Sequence, residues 1–397
     1  MKVLVACDED VCFFGQEYYV RDFCNTLVRR YLMTFDQVRL VVRCSKVFDK
    51  KQLGKNNIKV SDSRIEIWPI TNFSGPKQYA KVYFEVKRQL RGVCNGCNLG
   101  IFRIPGTTGQ VVCNIAQKKG LPYAAELVFD CVDEIKSNPS FLQRALWRIL
   151  HRQMIVACNK AIGLAPVTKC YLQSHYWSNL PDAINSSYSS IELPNDFFYR
   201  SRSFPQKDYL DIVHVSNQVY FNSRKGHNDL IFALVELKKK GILVRVTFVG
   251  EDYHDGIAKL TKMAEKLGVA DLIKFTGFMN YSNMREVLRK ADIAVFPTKA
   301  EGLPRVVIEA MAMGLPCLTT RVSGNPELIE DKFLFDYGDV NAIVRIVTLL
   351  YCDPNLYCGT SVRNFNCSKE FKKEILDKKR KDFYDQLRLK IENEKIK

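Results

Sequence analysis

The sequence predicts an α/β protein made of two Rossmann-like domains facing each other across a cleft. Short, nearly unbroken apolar β-rich runs recur along the chain, stretches with helical spacing separate them, and the series is interrupted once, near residue 200. Strands without polar alternation belong in parallel sheets covered by helices on both faces. At 397 residues the chain also exceeds what one small core organises.

The strand runs of the first half are KVLVAC (2–7), VRLVVRC (38–44), RIEIWPI (64–70), LGIFRI (99–104), YAAELVF (123–129) and KAIGLA (160–165). Those of the second are LDIVHVS (210–216), VRVTFVG (244–250), LIKFTGF (272–278), DIAVFP (292–297), PCLTT (316–320) and FLFDYG (333–338). Between the two series, LPNDFFYRSRSFPQKDY (193–209) carries prolines, charge and aromatics with no helix or strand period, and reads as a linker. The expected domains are 1–195 and 205–367. Residues 368–397 read as one charged helix with apolar positions at Phe371, Ile375, Leu376, Phe383, Leu387 and Ile391, packing back on the first domain.

Composition narrows the function classes. With 47% apolar and 26% charged residues the chain is expected to fold as a soluble globule, and its net charge of +16 favours anionic partners. The basic residues are dispersed and no reading module is recognisable, so no nucleic acid is expected. The opening MKVLVACDED is too short an apolar run for a signal-peptide core, and nowhere do about 18 apolar residues run together. A cytoplasmic location with reduced thiols is therefore expected for the fourteen cysteines. Cys94-Asn-Gly-Cys97 has no second pair at zinc spacing. Asp8-Glu9-Asp10 is expected to be solvated loop charge, so no metal site is assigned.

Open α/β sheets bind ligands outside the carboxyl ends of their strands. No GxGxxG follows a strand, which argues against a dinucleotide cofactor. AEGLPRVVIEAMAMGLP (300–316) is better placed: after the strand DIAVFP comes a loop, then a helix starting at Pro304 and stopping at Gly314. Its N-terminus would offer the amides from Gly302 to Arg305 to an anion such as a diphosphate. Glu309 stands in an otherwise apolar run, either as the partner of Arg305 four residues earlier or facing a ligand diol. A second anion site is expected after LDIVHVS, where Arg224 and Lys225 precede Gly226 and the next helix.

These residues resemble the donor domain of family 4 glycosyltransferases, which have the GT-B fold. The matching pieces are SRKGHNDLIFAL, VTFVGE, IKFTGF, ADIAVFPTKAEGLPRVVIEAMAMGLPCLTT and SGNPELIED, and together they cover most of residues 212–340. The first half is similar only in layout. The resemblance implies transfer of a sugar from a nucleotide-diphosphate sugar with retention of configuration, without a cofactor or an essential metal. It implies that Glu309 holds the donor ribose, Glu301 contacts the transferred sugar, and the amides of Gly302, Leu303 and Arg305 hold the diphosphate. Lys225 would neutralise the leaving group, and Gly250 and Met279 would border the base. Where many members have Gly-Arg after the first strand of this domain, the chain has Ser216-Asn217, so that Arg224 substitutes or the charge is missing. Asp130 stands near the place of an N-domain histidine and would take the acceptor's proton or orient the acceptor sugar. Gly15 stands in the N-terminal glycine loop, expected to help hold the donor.

The resemblance implies a glycan or lipid-linked acceptor, used in polysaccharide or glycolipid biosynthesis. Other readings are a sugar-nucleotide epimerase of the same fold and a catalytically silent sugar-nucleotide or glycan-binding subunit. The stretch Ser140 to Met154 spaces Arg144, Arg148 and Arg152 four apart, with Phe141, Leu142, Ala145, Leu146, Ile149 and Leu150 on the other face. It reads either as a helix lying on anionic membrane at the inner face or as an ordinary domain helix with an arginine-rich solvent side.

Overall fold

The computed structural model describes residues 1–49, 53, 57–137 and 140–394, with the side chains of 22, 23, 75–77 and 137 outside the description. The chain divides into two compact units, Met1–Tyr188 with Asp377–Lys397, and Ser189–Leu376.

The first unit is built on β1 (Lys2–Phe14), β2 (Glu17–Arg21), β3 (Gln37–Lys46), β4 (Asn57–Lys59), β5 (Ile65–Thr71), β6 (Leu99–Ile104), β7 (Tyr123–Leu127), β8 (Gly163–Pro166) and β9 (Ile184–Asn185). Its parallel part runs β5-β3-β1-β6-β7-β8-β9. This is the doubly wound order, whose direction reverses between β1 and β6. The apolar runs are buried as expected: Val3, Leu4, Val5, Leu99, Ile101 and Phe102 are all sealed from solvent.

One departure from a purely parallel sheet concerns β1, which continues past a bulge between Ala6 and Asp10 and turns back on β2. Phe14 pairs with Glu17 across Gly15 and Gln16, both at positive φ (56° and 70°). Two left-handed residues make the tight turn whose twist matches a hairpin. This turn accounts for Gly15 without any ligand.

Helices α1 (Asp22–Tyr31), α2 (Gly75–Gln89), α3 (Thr107–Lys118), α4 (Cys131–Ser137), α5 (Phe141–Asn159) and α6 (Tyr171–His175) complete this unit together with a C-terminal helix. The arginine-spaced helix is α5, capped by Ser140 and extending past Met154. Its inward seam is Trp147, Leu150, Met154, Ala157 and Cys158. Phe141, Leu142, Leu146 and Ile149, which the ordinary-helix reading turns to the core, are exposed (75%, 65%, 38% and 53%). The reason is the seam itself, whose 3–4 spacing selects the face that carries Trp147 and Met154.

The second unit contains β10 (Leu210–Val219), α7 (His227–Lys239), β11 (Val244–Asp252), α8 (Gly256–Lys266), β12 (Ile273–Phe275), α9 (Tyr281–Lys290), β13 (Ile293–Phe296), α10 (Arg305–Ala312), β14 (Cys317–Thr320), α11 (Asn325–Leu328), β15 (Leu334–Phe335), α12 (Val340–Cys352) and α13 (Pro354–Ser368). All six strands are parallel in the order β12-β11-β10-β13-β14-β15, with the reversal between β10 and β13. The irregular stretch 193–209 is strapped to this unit. Tyr199 N donates to Ala312 O at 3.1 Å and Arg202 Nε to Met313 O at 2.8 Å. Gly314 has φ 74°, and a Cβ there would stand 2.0 Å from Arg200 O.

The last stretch is not one helix. A 3-10 turn at Lys369–Phe371 ends at Lys372, whose extended backbone (ψ 140°) precedes α14 (Lys373–Glu394). Lys372 bridges to Leu193, and Lys373 N donates to Leu193 O at 2.9 Å, which takes these residues out of the helical pattern. Helix α14 then buries Phe383, Tyr384, Leu387 and Ile391 in the first unit, leaving Ile375 37% exposed. Tyr384 reaches the buried Glu126 of β7 at 2.6 Å; Tyr31 and Tyr188 also donate to it, each at 2.9 Å, as does Arg103 at 3.3 Å. Four donors satisfy a carboxylate that would otherwise be costly to bury.

Candidate functional site

At the reversal point of the second sheet, two loops leave the carboxyl ends of adjacent strands. One follows β10 and carries Arg224, Lys225 and Gly226; the other follows β13 and carries Glu301, Gly302 and Leu303. Gly226 caps α7 at φ 71°, and a Cβ there would lie 2.1 Å from Pro297 O. Only glycine lets the first loop press onto the end of β13. Lys299 N donates to Arg224 O at 2.8 Å, closing the two loops together.

That closure puts Lys225 Nζ on the carboxylate of Glu301 in a direct ion pair. Thr298 Oγ1 donates to the same carboxylate oxygen at 2.8 Å. Lys225 remains about a third exposed, and Glu301 less so (37% and 17%). The pair thus holds its charges in place at a surface that a ligand can reach.

Helix α10 starts where expected. Pro304 is its N-cap, and Gly314 lies just beyond its C-cap Met313. Among the described residues, the Gly302 and Leu303 amides donate to no protein acceptor, while Gly302 O takes a hydrogen bond from Gly324 N at 3.0 Å. The loop is therefore held by its carbonyl, while its amides stay without a protein acceptor among the described residues. Arg305 opens the helix with an exposed side chain.

Glu309 is half-buried on α10. Burial pushes its carboxyl up to about 7, against the opposing pull of the Arg305 guanidinium. Among the described residues, no hydrogen bond or ion pair reaches that carboxylate, so the local pairing with Arg305 is not formed as a salt bridge. Tyr281 at the start of α9 is raised chiefly by burial and then by the Glu309 charge. Gly250 ends the buried part of β11; a Cβ on it would stand 2.6 Å from Ser216 O. Met279 is half-buried in the loop before α9, whose cap Asn280 accepts from Asn283 N at 2.9 Å.

In the first unit Asp130 lies just beyond β7, with its side chain fully buried. Its Oδ1 accepts from Tyr176 Oη at 2.6 Å and Val132 N at 2.8 Å. Its Oδ2 has no hydrogen-bond partner, with His175 Nδ1 3.9 Å away. Asp8, Glu9 and Asp10 are each engaged. Asp8 accepts from the Thr107 and Thr108 amides at 2.6 and 2.8 Å, Glu9 from Arg21 at 2.8 Å, and Asp10 stands 3.0 Å from Arg43 Nε. Among the described residues no group of three His, Cys, Asp or Glu could hold a metal ion, and all fourteen cysteines are free. No helix there is long and apolar enough to cross a membrane.

Sequence reasoning missed a buried polar cluster under the first loop: His214, Ser216, Ser223 and His227. Its one local signal was a histidine inside the apolar strand LDIVHVS, a pattern that an ordinary core histidine also gives.

Residues 198–361 match the family model described as glycosyl transferases group 1. Protein CapJ of Staphylococcus aureus is 24% identical over 350 residues, which are 87% of this chain and 85% of that one. The Anabaena protein HepE in complex with UDP-glucose superposes with a TM-score of 0.65 at 15% identity, covering 96% of this chain and 98% of that one. WaaG, described as a glycosyltransferase involved in lipopolysaccharide biosynthesis, superposes at 0.64 with 17% identity, covering 96% and 99%. The fold is GT-B, and the chain is a glycosyltransferase.

Proposed function

We propose that this glycosyltransferase moves a sugar from a nucleotide-diphosphate sugar, with retention of anomeric configuration, to a glycan or lipid-linked acceptor in polysaccharide or glycolipid biosynthesis. The observation that carries the reading is the Lys225–Glu301 pair standing at the sheet reversal beside the unfilled amides of Gly302 and Leu303. Support for the donor class comes from HepE, whose structure holds UDP-glucose on the same fold. Support for the pathway comes from WaaG, whose description places it in lipopolysaccharide biosynthesis.

In this reading the bond between the anomeric carbon and the β-phosphate oxygen breaks, and the electron pair leaves with the nucleoside diphosphate. Lys225, with Arg224 and the amides of Gly302, Leu303 and Arg305, stabilises the growing phosphate charge. These groups supply the countercharge, so the reaction calls for no essential metal or cofactor. Glu301 holds the sugar hydroxyls, Glu309 accepts from the ribose diol, and Gly250 and Met279 border the base. The acceptor oxygen forms the new bond to the anomeric carbon. In this reading the acceptor's proton goes to Asp130, whose Oδ2 has no partner; the side chain is sealed from solvent, so a local opening has to expose it first.

A thermal-shift series with UDP, GDP, ADP and CMP tests the donor site. One nucleotide is expected to raise the wild-type Tm and to leave Glu309→Ala unshifted, since a ligand that binds the folded state stabilises it. No shift with any of the four at millimolar concentration rejects the assignment.

The outward face of α5 supports a location at the inner, anionic side of a cytoplasmic membrane. It presents Phe141, Leu142, Leu146, Ile149 and Val156 to solvent together with Arg148 and Arg152. Apolar and cationic side chains on one exposed face fit the boundary between headgroups and acyl chains. Co-sedimentation with phosphatidylglycerol vesicles is expected for the wild type and should weaken severalfold in Arg148→Glu. Equal binding by both proteins rejects the membrane contact.

A further inference from the structure

We propose that His227 is a positioning residue for Lys225, acting through a buried hydrogen-bond chain that fixes the loop after β10. The inference rests on the role given to Lys225 above. The directions of the bonds follow from their ends. Ser216 Oγ donates to Gln218 O at 2.8 Å, so its remaining contact, His227 Nε2 at 3.2 Å, is the donor to Ser216. With the proton on Nε2, His227 Nδ1 is an acceptor, and it takes the hydroxyl proton of Ser223. Ser223 Oγ in turn accepts from Lys225 N at 3.1 Å. The order is thus Lys225 N–H to Ser223, Ser223 to His227, His227 to Ser216, and Ser216 to Gln218 O.

Every link is satisfied, and the chain spans the loop from its departure in β10 to the start of α7. Ser216, Ser223 and His227 are all buried, and His227 is sealed completely. The His227 ring packs edge-on against His214 (4.8 Å between centroids, 74°), which is itself pinned by His214 Nδ1 donating to Val295 O at 2.8 Å. Phe248 closes a further side of the His227 ring at 5.6 Å. The imidazole therefore has one orientation, and its two nitrogens set the distance between Ser216 and Ser223. Burial holds His227 neutral, down to about 2, which keeps one nitrogen as donor and the other as acceptor across the working pH range. The output is the backbone position of Lys225, one residue before the glycine that locks onto Pro297.

A ring that acts through Lys225 has no effect on catalysis once Lys225 is gone, whereas a ring that merely fills the core affects both backgrounds alike. The test is a double-mutant cycle read as kcat on the full chain, with Tm recorded for every variant. Ser223→Ala, a small change, and His227→Gln, which can still donate to Ser216 but not accept from Ser223, are each expected to lower kcat about 10-fold with donor KM within about 2-fold. His227→Asn, whose amide reaches Ser223, should recover most of that loss. In a Lys225→Ala background the Ser223 and His227 changes should cost less than about 2-fold. Equal losses in both backgrounds overturn the proposal while the role of Lys225 stands. A Lys225→Ala enzyme with undiminished kcat overturns both.

Discussion

The two sheets reverse direction at equivalent places, and the protein treats the two places in opposite ways. In the first unit β1 and β6 flank the reversal, and α3 begins just beyond β6. Its first amides, Thr107 and Thr108, are occupied by the carboxylate of Asp8, which leaves β1 at the bulge. In the second unit β10 and β13 flank the reversal, and the amides before α10 at Gly302 and Leu303 are left open, with a lysine set beside them. A helix N-terminus attracts an anion wherever it lies. The difference between the two ends is that the chain brings its own anion to the first and, among the described residues, none to the second.

The same contrast holds for carboxylates. Glu126 has four donors around it, while Glu309 has none among the described residues and is held partly neutral by burial. A fold gains nothing from a half-buried acid without partners. In the proposed reading a ligand diol supplies the missing donors.

The largest effect that would break the comparison is expected at Lys225. Lys225→Ala should lower kcat by about 10²–10³, the scale of a lost charge-stabilising donor. It should change stability by less than about 1 kcal/mol, because its ion pair is partly exposed. A kcat within about fivefold of wild type would place the charge stabilisation elsewhere.

Asp8→Ala should show the opposite pattern. It removes an acceptor from two helix amides and should cost about 2 kcal/mol in urea unfolding. Inorganic phosphate at tens of millimolar should restore part of that loss by entering the vacated end, an effect absent from the wild-type first unit. If Asp8→Ala is as stable as wild type, Asp8 is not what fills this end.

The third expected effect is linked to pH. The folded Glu309 carboxyl titrates at about 7, above its ordinary 4.5, so the folded state holds a proton that the unfolded chain has released. Below pH 4.5 both states are protonated and the residue costs nothing. As pH rises through 7 the unfavourable burial of its charge comes fully into force. Glu309→Gln should therefore match the wild type near pH 4 and exceed it by about 1–3 kcal/mol at pH 8. A pH-independent difference between the two would mean that Glu309 is well solvated.

Much of this architecture was legible in the residues themselves. Each apolar run became a strand. Pro304 and Gly314 bracket α10, and Lys225-Gly226 and Glu301-Gly302 stand in the two loops where a reversing parallel sheet binds ligands. Those features depend on neighbours in the chain: period, cap and turn chemistry act over a few residues, so the sequence alone determined them. Tertiary structure decided the rest. Asp8 meets Thr107 and Thr108 about a hundred residues away. The choice of the Trp147–Met154 face of α5 over its Phe141–Ile149 face followed from the core it met. Lys372 left the helical pattern because Leu193 paired with it. In each case the winning contact came from a distant segment, and a local pattern carries no record of which distant group will arrive to satisfy it.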